Sequence, residues 1–133
     1  MMPEGERIEN LDLPIHEVQK AVELNMPMGR RQVSANGREY LSEYFIVVNG
    51  KIQPAGNSPD RFYSHVFILG DRRPYTVQVS VIRERRISGE SYSAKYEGYA
   101  TDQRIAKVLT KRIQQTLSKR RDDRNIIDDF RVF

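Results

Sequence analysis

The clearest alternation of apolar and polar positions lies at residues 75–81, with Tyr75, Val77, Val79 and Val81 on one face of a strand and Thr76, Gln78 and Ser80 on the other. A period of two with one apolar row predicts an antiparallel sheet covered on one side and wet on the other. Residues 62–69 read as the preceding strand, joined through a turn at 70–74. After it, Tyr92, Ala94 and Tyr96 alternate with Ser93, Lys95 and Glu97, which completes a three-strand meander. Upstream, Asn36-Gly37 and Asn49-Gly50 are the dipeptide that most readily takes the positive φ angles of a type I′ hairpin turn. Residues 38–48 between them read as one long strand, whose end Phe45-Ile46-Val47-Val48 suggests burial on both faces. Two prolines, Gly56, Asn57 and Asp60 make residues 53–61 a loop.

Two segments have helical period instead. Ile15, Val18, Ala21 and Val22 lie on one stripe, Pro14 suits a helix start, and Pro27 with Gly29 ends the run. Residues 101–121 form the second helix, with Thr101 as its cap and Asp102 in its first turn. Ile105, Val108, Leu109, Ile113 and Leu117 share one face, and Arg104, Lys107, Lys111, Gln114 and Ser118 the other. A helix near each end and a sheet with one wet face predict an α+β fold. Its economical form is a two-layer sandwich, an antiparallel sheet of about four strands with both helices packed on the 75–81 side. Residues 1–12 read as a flexible leader, and residues 13–133 as one domain that ends in a tail at 122–133.

The 133 residues suit a single core, and seven Tyr and five Phe among many Val and Ile argue against disorder. The absence of cysteine excludes disulfides and thiolate ligands, and with them zinc ribbons and thiol enzymes. No apolar run approaches the ~20 residues of a membrane-spanning helix, and the N-terminus lacks the pattern of a signal peptide.

Charge then singles out the C-terminal quarter. Residues 101–133 hold nine Lys or Arg and five Asp, the whole formal charge of +4, because residues 1–100 balance. Arg104, Lys107, Lys111, Lys119, Arg120 and Arg121 form a row with no acid between residues 103 and 121. A solvated helix face, favoured near the C-terminus by the helix dipole, accounts for part of it. Sequence-independent phosphate binding is the rival reading, diluted by Asp122, Asp123, Asp128 and Asp129.

Arg112 falls within the apolar arc. Either its stem packs while its head reaches the edge, or it is paired, with Glu17 or Glu23 of the first helix as partner in a buried ion pair. In the tail, Ile126, Ile127, Phe130 and Phe133 are too apolar for an ordinary solvated terminus. They fold back over the core, or they dock on a partner as a strand or in a groove.

Catalysis has little support. His16 and His65 are the only histidines and have no metal-ligand spacing, no Gly-x-Ser-x-Gly or His-Glu-x-x-His motif occurs, and the Asp122-Asp123 pair sits in charged surroundings. No enzyme, cofactor or metal is expected.

The segments SANGREYLSEYF (residues 34–45), DRRPYTVQV (71–79) and KRRDDRNIIDDFRVF (119–133) together resemble the soluble domains of small bacterial envelope lipoproteins, in which helices cover a short antiparallel sheet. The resemblance spans most of the chain by architecture, and the lipidated cysteine of such proteins is missing from this sequence. It implies a periplasm-facing scaffold or assembly factor and carries over no functional residue. The expected function is therefore a non-enzymatic protein-interaction domain that contacts a partner through the C-terminal helix and tail, with nucleic acid or an anionic membrane surface as the alternative partner. Without the resemblance, a cytoplasmic location is expected.

Overall fold

The computed structural model describes residues 3–89 and 94–131, with side chains through residue 120. The fold is α+β, with an all-antiparallel sheet and two helices among the described residues, where the sheet has eight strands against the four or so expected. Its spine is a long hairpin of β6 (Asp60–Leu69) and β7 (Tyr75–Ser88), paired continuously from Asp60 opposite Arg85 to Leu69 opposite Thr76. Along the outer edge of β7 lie β1 (Glu6–Leu11) and then β8 (Lys95–Thr101). Along the outer edge of β6 lie two hairpins, β2 (Arg30–Val33) with β3 (Glu39–Ser42), and β4 (Phe45–Val48) with β5 (Lys51–Pro54).

The extra strands come from places where tertiary pairing outweighs local pattern. Residues 6–11 belong to no loose leader: Ile8 and Leu11 are buried in the core, and β1 pairs with Tyr75 through Val79. The chain before it is also held. The carbonyl of Pro3 accepts hydrogen bonds from Gln78 Nε2 (2.9 Å) and Ser80 Oγ (3.1 Å). Gly5 crosses so close that a Cβ there would lie 2.3 Å from the Val79 carbonyl oxygen. Gln78 and Ser80, expected on a wet face, are therefore buried.

The predicted long strand at 38–48 is broken at Glu43 and Tyr44 into β3 and β4. The second break with expectation is its end. Val47 and Val48 are 39% and 40% exposed, because β4 meets β6 only at Phe45 and otherwise pairs with the outermost β5. The β4–β5 turn has the anticipated geometry, with φ of 51° at Asn49 and 74° at Gly50. Tyr92 and Ser93 of the predicted last strand lie outside the described residues, and β8 begins at Lys95.

α1 (Ile15–Leu24) buries Val18, Ala21 and Val22. α2 (Gln103–Arg131) starts two residues later than expected. Asp102 is its cap, the carboxylate accepting the Ile105 N–H at 2.9 Å. The helix continues past residue 121 to Arg131, through most of the segment read as a tail.

One core cluster joins Val18, Ala21 and Val22 of α1 and Ala106, Leu109, Ile113 and Leu117 of α2 to Tyr75, Val77, Val79 and Val81 of β7 and to Val66 and Ile68 of β6. The face of α2 differs from the sequence expectation. Ala106 and Thr110 are buried, while Val108 is 46% exposed. Small Ala106 allows close approach to the sheet, and Thr110 is tolerated because its hydroxyl donates to the Ala106 carbonyl at 2.7 Å.

Candidate functional site

Arg104, Lys107 and Lys111 are exposed along α2, and so is Lys119. Arg120 is half-buried and bonds to Glu17 through Nε, which ties the second helix to the first. The side chains of Arg121, Ile126, Ile127, Phe130 and Phe133 lie outside the described residues.

The expected buried pair of Arg112 with Glu17 or Glu23 does not form. Arg112 is exposed, Glu17 takes Arg120, and Glu23 takes Arg30 at 3.1 Å. The physical reason is the position of the buried arc: it runs through Ala106 and Thr110, which leaves Arg112 beside exposed Val108 outside the core. An arginine–glutamate bridge between the helices does exist, two turns further along α2. Arg112 instead borders an open groove of about 420 Å³ with Leu24, Met28, Lys51 and Ile52. Leu24 is 64% exposed, and the groove lining contains no acidic residue.

The most concentrated chemistry lies elsewhere, on the sheet face opposite the core. The period-two pleat and the β6–β7 register place Arg61, Tyr63, His65 and Phe67 of β6 on that face with Ile82 and Glu84 of β7. Arg61 Nε donates to Glu84 Oε1 at 2.8 Å, directly across the ladder, and the two side chains are only 17% and 14% exposed. The Arg61 guanidinium is also clasped between two rings, 3.5 Å from the centroid of Tyr44 and 3.5 Å from that of Tyr96. Tyr96 is fixed in turn, its hydroxyl donating to the Ser58 carbonyl at 3.0 Å.

Arg31 shares one of these rings, Tyr44, and adds Tyr63. Its guanidinium lies 4.4 Å from the Tyr44 centroid and 5.4 Å from that of Tyr63, and its Nε donates to the Ser42 carbonyl at 3.0 Å. Tyr44 and Tyr63 meet edge to face at 5.9 Å. Burial first, then the charges of Glu84 and Tyr44, push the Tyr63 phenol above its ordinary range, opposed by Arg31.

His65 contacts Glu39 at 2.6 Å and stacks on Phe67 at 4.3 Å. Its neighbour Ser64 has a buried hydroxyl without a hydrogen-bond partner, but successive strand residues point to opposite faces. The pleat thus separates that hydroxyl from the imidazole, and no nucleophile–base pair is assembled there. Among the described residues, no group of three His, Asp or Glu is placed to hold a metal. No helix among them is long and apolar enough to cross a membrane.

No family model, curated protein or solved structure matches this chain.

The arginine–tyrosine cluster escaped the sequence reading. Its only trace there is the occurrence of Tyr44, Tyr63 and Tyr96 in strand-like segments near arginines. Register is what assembles them, since Arg61 meets Glu84 only because β6 and β7 pair as they do.

Proposed function

We propose that this chain is a non-enzymatic protein-interaction domain that docks a partner against the α1–β2 turn, the β4–β5 hairpin and α2. The observation that carries the reading is the groove beside Arg112. It presents exposed Leu24 and Met28 and half-buried Ile52 between two cations, Arg112 and Lys51, with no acid in its lining. Exposed apolar side chains rimmed by charge of one sign suit an amphipathic, acidic segment of another protein. The proposal extends to Ile126, Ile127, Phe130 and Phe133, the apolar residues at the C-terminal end. Within it, the body is a two-layer sandwich with both helices on the Tyr75–Val81 side, consistent with a scaffold role of the kind the envelope lipoprotein resemblance implies.

The test is a photo-crosslinking amino acid at Met28 of the full chain in cells that express it, with a second at Asp71 as a control. A discrete adduct from position 28 is expected, weakened by Arg112→Glu with Lys51→Glu. Equal adducts from both positions, or indifference to the charge reversal, would defeat the reading.

Exposed Arg104, Lys107 and Lys111 favour a second reading, attraction of nucleic acid or an anionic membrane surface. Phosphate-led binding weakens steeply with salt, with a log–log slope of about −0.9 per duplex DNA phosphate neutralised. Binding to the groove, which involves two cations beside its apolar residues, weakens with salt far less steeply.

A further inference from the structure

Arg31 and Arg61 occupy seats of the same kind on the outer sheet face. Each is half-buried, and each lies over the ring of Tyr44 and of one further tyrosine. They differ in the anion they meet. Arg61 has a carboxylate supplied from within the fold, Glu84, whereas Arg31 has no acidic partner among the described residues. Glu43, beside Ser42 in the chain, forms no ion pair with it.

We propose that Arg31 anchors an oxyanion-binding site on this face, which takes the carboxylate or phosphate group of a ligand in the place that Glu84 fills for Arg61. The donor inventory decides the geometry. A guanidinium offers five N–H groups, and Arg31 spends the Nε–H on the Ser42 carbonyl. What remains is the pair of terminal amino groups, the end-on fork that matches two oxygens of a carboxylate or phosphate. That hydrogen bond and the Tyr44 ring hold the fork in place before any ligand arrives, so little side-chain freedom is lost on binding.

Tyr44 and Tyr63 add two phenol hydroxyls with no hydrogen-bond partner among the described residues. The Tyr63 phenol, protonated in the neutral range at its ordinary value and pushed further up by burial, is a donor there. Because Glu84 neutralises Arg61, Arg31 supplies the uncompensated charge of the cluster. This site is independent of the groove beside Arg112, so failure of either reading leaves the other standing.

The experiment uses the full chain, selectively labelled so that arginine Nε–Hε resonances are observed, titrated separately with inorganic phosphate and with acetate. A saturable shift of the Arg31 resonance with about millimolar affinity is expected from at least one probe. The tighter probe identifies which group the ligand carries. Arg31→Lys keeps the stem but loses the fork, and should weaken binding about tenfold. Arg31→Met should abolish it, and Lys107→Glu with Lys111→Glu should leave it unchanged. Urea unfolding of each variant establishes that it is folded. No saturable shift with either probe, binding retained in Arg31→Met, or binding lost in the lysine double variant would overturn the assignment.

Discussion

The Arg61–Glu84 pair lends itself to a quantitative test because three separate contacts converge on one guanidinium. In Arg61→Met the apolar stem is kept, so the change isolates the charged head. Two ring contacts at 3.5 Å are lost, each worth about 0.5–1 kcal/mol at this degree of exposure. Glu84, its side chain 14% exposed, is left without its guanidinium, at a cost of about 1–3 kcal/mol. The sum is about 2–5 kcal/mol, well above the near-zero value of exposed pairs and overlapping the 3–5 kcal/mol of fully buried ones.

Glu84→Gln should cost less, about 1–2 kcal/mol, because the amide still accepts a hydrogen bond and the rings still hold Arg61. The double variant should fall short of the sum of the singles by about 1–2 kcal/mol, the coupling between the two residues. Urea unfolding at neutral pH measures all four corners of the cycle, and an unchanged denaturant slope shows that stability itself has moved. Destabilisation of Arg61→Met below about 0.5 kcal/mol, or strictly additive singles, would refute the cluster as a tie between β6, β7, β8 and the β3–β4 connection.

Three further outcomes are expected. Gly5→Ala should destabilise by about 1–3 kcal/mol in thermal or urea unfolding, because its Cβ would meet backbone that cannot move aside; a neutral effect would mean that the N-terminal segment does not lie against Val79. Lys107→Glu with Lys111→Glu should leave stability within about 0.5 kcal/mol by urea unfolding, as for exposed positions remote from caps and core. Alkaline stability should fall from about pH 10 upward. Burial raises the Tyr40 and Tyr63 phenols above their ordinary value, so the unfolded chain loses these protons first, binds fewer than the folded chain, and is favoured as pH rises; Tyr63→Phe should flatten the decline in a pH series of urea midpoints.

What the sequence made legible was whatever a single element decides for itself. The apolar row at Tyr75, Val77, Val79 and Val81 is buried as the period-two pattern requires, and Val18, Ala21 and Val22 are buried as the helical stripe requires. The Asn49-Gly50 turn follows from backbone preference alone. β1 was illegible for the opposite reason. The segment ERIENL carries two acids, an arginine and an asparagine around two apolar residues, and it becomes a strand because β7 offers an edge to pair with. The face of α2 was misjudged where the decision fell between a larger apolar residue and a smaller one. Close packing against the sheet selected Ala106 over Val108 and carried Arg112 out to the groove.

The same distinction separates the two candidate sites. The basic row of α2 is conspicuous in the sequence because no acid interrupts it, yet exposure, wide spacing and screening by salt make each charge individually weak. The arginines of the outer sheet face are inconspicuous, because β2, β4, β6, β7 and β8 flank or supply their partners from well-separated parts of the chain. Half-buried guanidinium groups interact more strongly with whatever meets them, since the effective dielectric is lower and the side chain is already ordered. At Arg61 the fold supplies that partner as Glu84. At Arg31 it leaves a two-pronged donor oriented by Ser42 and Tyr44, and the proposed oxyanion site rests on that difference between the two seats.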